Sequence, residues 1–278
     1  MKSFLPVALA AGLLLPAQPA AGADPKGLTE ASEFQVLLIG NSHSSRHGLP
    51  ELLAETIRAG LPGASVHAEA APRWKFLDER IDDEVTARAL ESRNWTHVIL
   101  QAQKYSTSGR YAHPTDATEA WIRRVRVRRA APILFPEWGR RGENGEGLRV
   151  HRLHMGIAER EPACIAPVGL AWEIVSRRNP SIRLHEYDGN HSNPAGALLT
   201  ALVLYQTVTG RSAERLPPIE SVRVKAAIQE TLRRAAGEAH RVIPQEPGLC
   251  KPAPADGGED SPAPDDAAQE RADESVIQ

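Results

Sequence analysis

Phe34-Gln35-Val36-Leu37-Leu38-Ile39 runs directly into Gly40-Asn41-Ser42-His43-Ser44. The four consecutive apolar residues Val36 to Ile39 leave no polar face for water, the pattern of a strand covered on both sides in a parallel sheet. Behind it Leu49, Leu52, Leu53 and Ile57 recur at helical spacing, and Gly60-Leu61-Pro62-Gly63 closes that helix. The same alternation continues. Strands are expected at Ser65 to Glu69, His97 to Gln101, Ile133 to Phe135 and Cys164 to Ala166. Helices are expected near Asp82 to Glu91, Thr115 to Arg129, Leu148 to Arg160 and Leu170 to Arg178. Repeated β-α units predict an α/β fold, a three-layer sandwich around a mostly parallel sheet, with ligands outside the carboxyl ends of the strands.

The last long helix has a marked start. Asn193 is a good N-cap and Pro194 suits the first helical position; Leu198, Ala201, Leu202 and Tyr205 form the buried stripe, and Gly210 ends it. A further helix is expected at about Ser221 to Ala239.

At 278 residues the chain is long enough for one substantial domain. Its 33 Lys and Arg against 35 Asp and Glu argue against nucleic-acid binding, which needs a concentrated excess of cations. The basic run Arg123 to Arg129 is read as the solvated face and last turn of a helix.

Three segments are distinguished. Lys2, the apolar run Phe4 to Leu15 and Ala21-Gly22-Ala23 have the order of a secretory signal peptide, so 1–23 is expected to be removed and the rest exported to a periplasmic or extracellular space. That apolar run is too short for a permanent span, so no stable membrane insertion is expected after cleavage. The domain is expected at 24–245, followed by a disordered acidic Pro/Ala-rich tail over 246–278. Cys164 and Cys250 remain in the mature chain. Export permits a bridge between them, while a free cysteine would be equally at home in the apolar Cys164 stretch.

The polar residues at the two ends of the domain suggest chemistry. A serine hydroxyl becomes nucleophilic when a base takes its proton, and the base works best when a carboxylate holds its tautomer. Ser42, at the end of the first strand, and Asp188-Gly189-Asn190-His191, before the last long helix, supply nucleophile, carboxylate and base. The helix N-terminus beyond His191 favours its neutral form.

These two blocks resemble those of the SGNH (GDSL-like) hydrolases, over roughly Phe34 to Gly210. Ile39 to Ser44 is similar to the first family block, with Asn41 where many members have Asp, and Asp188 to Gly196 is similar to the last. The resemblance implies a flavodoxin-like fold, no metal or other cofactor, a nucleophile at Ser42, a base at His191 and an orienting carboxylate at Asp188. It implies a carboxylic ester hydrolase acting on a small-molecule or polysaccharide ester, with O-acetyl groups of carbohydrate or cell-envelope substrates the nearest analogy. The middle blocks depart from the family. Where a glycine is usual after the second strand, this chain has Ala70-Ala71-Pro72-Arg73-Trp74; where Gly-x-Asn-Asp is usual after the third, it has Gln101-Ala102-Gln103. Gln101 or Gln103 is therefore expected to donate to the oxyanion through its amide, Gln103 being favoured because it lies farther past the strand.

Asn41 and Trp138 complete the expected substrate-binding set, Glu137-Trp138 being read as a rim of the cleft. A non-catalytic carbohydrate-binding or envelope scaffold protein is the competing reading. His43 and His47 have the i, i+4 spacing of helical zinc ligands, but Ser44, Ser45 and Arg46 supply no acidic partner between them, so no metal is expected there.

Overall fold

The computed structural model describes residues 32–243, 246 and 248–254. Five parallel strands, β1 (Glu33–Ile39), β2 (Ser65–Ala70), β3 (His97–Leu100), β4 (Ala131–Leu134) and β5 (Cys164–Ile165), lie in the order β2-β1-β3-β4-β5. The helices are α1 (Leu49–Gly60), α2 (Leu77–Arg80), α3 (Glu84–Glu91), α4 (Asp116–Val127), α5 (Glu146–Arg160), α6 (Val168–Arg178), α7 (Pro194–Thr209) and α8 (Ala226–Val242).

The two-residue period of β1 divides its side chains between two cores. Val36 and Leu38 join Ile99, Ile133 and the buried faces of α1, α6, α7 and α8, while Leu37 and Ile39 join Val98, Leu100, Leu134 and the buried Trp121, Ile122 and Ile157 of α4 and α5. Helices thus cover both faces of the sheet, giving the three-layer α/β/α sandwich expected from the β-α alternation.

Local differences from the expected elements have physical causes. The fourth strand begins two residues earlier than expected, with Pro132 inside it. Ala131 N donates to Thr96 O and Phe135 N to Leu100 O, so the odd-numbered N–H groups face β3. The proline nitrogen faces the other side, where β5 pairs only with Ile133 and Leu134, and no ladder bond is lost. The helix expected at Asp82 to Glu91 is preceded by the separate short helix α2, because Asp83 caps a new start by accepting from Thr86 N. As expected, Asn193 caps α7, its side chain accepting from Ala195 N and Gly196 N, and Gly210 closes it with φ 67°.

Residues 1–23 lie outside the described residues, and so does most of 246–278. The boundary expected at 245 is passed by an anchored segment: Cys164 and Cys250 form a disulfide, Ala253 N donates to Arg129 O, and Arg129 Nη2 donates to Pro254 O. The segment is held at the amino ends of the strands, where His97 Nε2 also donates to Cys250 O. Among the described residues, no helix is long and apolar enough to cross a membrane.

Candidate active site

At the opposite, carboxyl ends of the strands, β1 opens into a turn in which Asn41 caps a short 3-10 helix, Ser42–Ser44. Asn41 Oδ1 accepts from His43 N, and Asn41 O accepts from Ser44 N and Ser44 Oγ. Gly40 is required by a close approach: a Cβ there would lie 2.3 Å from Gln101 Oε1 and 2.7 Å from Ser44 Oγ. The Ser42 N–H has no acceptor among the described residues.

The loop before α7 meets this turn from 149 residues away. Ser42 Oγ lies 2.8 Å from His191 Nε2, and His191 Nδ1 donates to Asp188 Oδ2 at 2.6 Å. Asp188 Oδ1 also accepts from Asn190 N and His191 N, an Asx turn with Gly189 at φ 72°. The His191 hydrogen bond, followed by those two backbone N–H groups, holds the Asp188 carboxyl well below the usual carboxylate range. With Nδ1–H given to Asp188, His191 offers a lone pair at Nε2 to the Ser42 hydroxyl.

Several expected roles are altered. The Gln103 amide donates to Lys104 O and Pro114 O, and its carbonyl accepts from Thr118, so its hydrogen bonds lead away from Ser42. Both N–H groups of the amide expected to serve the oxyanion are thus given to backbone carbonyls. Gln101 is fully buried; its Oε1 accepts from Asn41 N and its Nε2 donates to Glu137 Oε2 at 2.7 Å, so it braces the turn. Trp138 is buried rather than on a rim. It stacks on Trp172 with ring centroids 4.1 Å apart, and its Nε1 donates to Asn190 O, fixing the loop that carries Asp188 and His191. Asn41 serves the turn through the bonds already described.

His43 and His47 lie on separate short turns and face different partners. His43 is buried, donates from Nδ1 to Glu137 Oε2 at 2.8 Å, and has its ring centroid 5.1 Å from that of His191. His47, in the left-handed region at φ 55°, donates from Nε2 to Glu186 Oε1 and Ser192 O. Burial pushes the Glu137 carboxyl up, but the attraction and hydrogen bond of His43, with the Gln101 bond, outweigh it and hold the group below its ordinary value.

Arg80 is a contributor that the sequence reading did not single out. Fully buried, it donates from Nη2 to Gly40 O and Arg73 O, and from Nη1 to Pro72 O and Thr86 Oγ1. It therefore clamps the turn after β1 to the loop after β2. Arg73 takes φ 66°, a conformation that persists only when its surroundings over-determine it.

No protein-family model matches the chain, and no curated protein matches its sequence. Solved structures do match. A candidate SGNH hydrolase from Slackia heliotrinireducens is 23% identical, with 63% of this chain and 98% of that chain covered at a TM-score of 0.52. A DUF4886 family protein from Bacteroides uniformis is 15% identical, with coverage of 77% and 96% and a TM-score of 0.56. An alpha/beta hydrolase enzyme from the metagenome of Lake Arreo, Spain, is 15% identical, with coverage of 63% and 94% and a TM-score of 0.50. The chain shares its α/β fold with these solved structures, a candidate SGNH hydrolase among them.

Proposed function

We propose that this chain is an exported serine esterase that removes O-acyl groups, chiefly O-acetyl, from carbohydrate or cell-envelope substrates. The observation that carries the reading is the continuous relay from Ser42 Oγ through His191 to Asp188, with heavy-atom distances of 2.8 and 2.6 Å. Ser42 Oγ attacks the ester carbonyl carbon while His191 Nε2 takes the hydroxyl proton, giving a tetrahedral oxyanion. The bond to the alcohol oxygen then breaks, and His191 returns the proton to that oxygen. Water, deprotonated by His191, attacks the acyl-enzyme carbonyl; the bond to Ser42 Oγ then breaks, His191 returns the proton to Oγ, and the acid is released. Asp188 keeps the Nδ1–H tautomer throughout and stabilises the transient imidazolium. The Ser42 N–H is the nearest donor by position for the oxyanion, and such donors are typically worth about 10²- to 10³-fold in kcat.

Two exposed aromatic residues support a carbohydrate substrate. Trp74 is 70% exposed, its Nε1–H donating to Ser45 Oγ three residues past the nucleophile, and Tyr187, beside Asp188, is 92% exposed. Both offer flat apolar surface, Tyr187 next to the relay in sequence and Trp74 tied to it through the Ser45 bond, a surface on which sugar rings pack. The Cys164–Cys250 disulfide supports export, since such bonds persist in oxidising compartments.

A carbohydrate-binding protein without catalysis is the second reading, favoured by one observation: both glutamine amides after β3 are engaged with other protein groups. A fluorophosphonate probe separates the two. The esterase reading requires labelling at Ser42, lost in Ser42→Ala, together with acetate release from an acetylated oligosaccharide. A folded protein that neither labels nor turns over 4-nitrophenyl acetate would instead be the binding protein.

A further inference from the structure

Ser42 is flanked by Asn41 and His43, and both neighbours lead to one buried oxygen. Asn41 N donates to Gln101 Oε1 at 2.9 Å, and Gln101 Nε2 donates to Glu137 Oε2 at 2.7 Å. On the other side, His43 Nδ1 donates to the same Oε2 at 2.8 Å. Gln101 is fully buried and Glu137 and His43 are each 8% exposed, so bulk water does not compete for these bonds. None of the three side chains is bonded to Ser42 Oγ.

Resting on the reading of Ser42 as nucleophile, we propose that Glu137 is a positioning residue for it, acting through Gln101 on the residue before Ser42 and through His43 on the residue after. Hydrogen bonds to an ionised acceptor are shorter and about twice as strong as neutral ones, and a low local dielectric strengthens them further. Two such bonds converging on one carboxylate oxygen restrain the turn from both sides. The restraint sets both the Ser42 Oγ to His191 Nε2 approach and the direction of the Ser42 N–H. Gly40 belongs to the same device, since only a residue without Cβ lets the turn come within reach of Gln101 Oε1. An error of about 1 Å in such a placement costs on the order of 10²-fold in rate.

The chain of donors and acceptors can be reversed without being broken, and this supplies the test. In Gln101→Glu the new carboxylate faces that of Glu137, and the Gln101–Glu137 bond is lost. In the double variant Gln101→Glu/Glu137→Gln, the residue at 101 still accepts from Asn41 N and now also from the amide nitrogen at 137, whose second N–H is given to His43 Nδ1, the imidazole carrying its proton on Nε2 instead. The measurements are kcat and KM for 4-nitrophenyl acetate, the fluorophosphonate labelling rate, and the melting temperature. Gln101→Glu should lose about 10²-fold in kcat and in labelling rate with KM within about 3-fold of the parent, as expected for misplacement of the nucleophile. Glu137→Gln should lose about 10-fold, and the double variant should return to within about 5-fold of the parent.

Should Gln101→Glu alone fail to fold, Glu137→Gln and the double variant carry the comparison. The inference is overturned if Glu137→Gln keeps the parental kcat, or if the double variant melts like the parent and turns over no faster than Glu137→Gln. A parent that labels at Ser42 in that case leaves the esterase reading intact. A parent that does not label overturns both.

Discussion

Two histidine–carboxylate pairs stand side by side in this fold, with imidazole centroids 5.1 Å apart, and they are built for different work. Asp188 and His191 sit on an accessible loop, their side chains 45% and 21% exposed, and the second imidazole nitrogen meets the Ser42 hydroxyl. Glu137 and His43 are buried, and the second nitrogen of His43 has no hydrogen-bond partner among the described residues. On the proposed reading, what the far nitrogen meets, rather than the pairing itself, separates the base from the brace. Burial has the complementary effect on the carboxylates: water reaches Asp188, whereas Glu137 depends on protein donors alone.

The largest effect should come from the accessible pair. Asp188→Asn is expected to lower kcat by about 10⁴-fold, because an amide no longer enforces the Nδ1–H tautomer, while the denaturant midpoint stays close to the parent. Parental turnover in that variant would erase the distinction between the pairs. His43→Ala should add a loss of stability to the loss of rate expected when one arm of the brace is removed. It leaves Glu137 buried with only its Gln101 bond, and about 3 kcal/mol should be lost in a urea titration. A variant as stable as the parent would show that Glu137 does not need its partner.

Buried imidazoles elsewhere extend the comparison to pH. Burial pushes the pKa values of His97, His151 and His240 down to about 4, from an unfolded value near 6.5. These groups are neutral in the folded protein where the unfolded chain would bind a proton. Their contribution is therefore complete above about pH 6.5 and is lost progressively as the pH falls toward 4. Urea midpoints should decline between about pH 7 and pH 5, and less steeply in His97→Phe. A flat profile would contradict the assignment. The smallest effect is expected from Trp138→Phe, which retains a ring against Trp172 but loses the bond to Asn190 O. A cost of about 1 kcal/mol and a severalfold drop in kcat should follow, both measurable against the parent.

The parts of this molecule that are legible in the sequence are those governed by neighbours along the chain. Val36 to Ile39 announces a buried parallel strand, Asn193-Pro194 a helix start, and Asp188-Gly189-Asn190-His191 an Asx turn, since each depends on a few consecutive residues. The residues that brace the site depend on distant partners. Trp138 reads as a rim residue until Trp172, 34 positions on, is seen to stack upon it. Gln101 and Gln103 look equivalent by alternation, yet one meets Asn41 and Glu137 and the other meets Pro114 and Thr118. Arg80 gives no local sign that its partners are the carbonyls of Gly40, Pro72 and Arg73. Cys164 lies in an apolar stretch that suits a thiol or a bridge equally, and only the return of residues 248–254 decides between them.

That return also gives the molecule a handle. The segment ending at Pro254 is stapled at the amino ends of the strands, beside Arg129 and His97, whereas Ser42 and His191 lie at the carboxyl ends. Immobilising the protein on a sensor chip or resin through a tag placed after residue 254 would therefore turn Ser42 and His191 toward the flowing solution. Coupling through a cysteine introduced near Tyr187 would press them against the support.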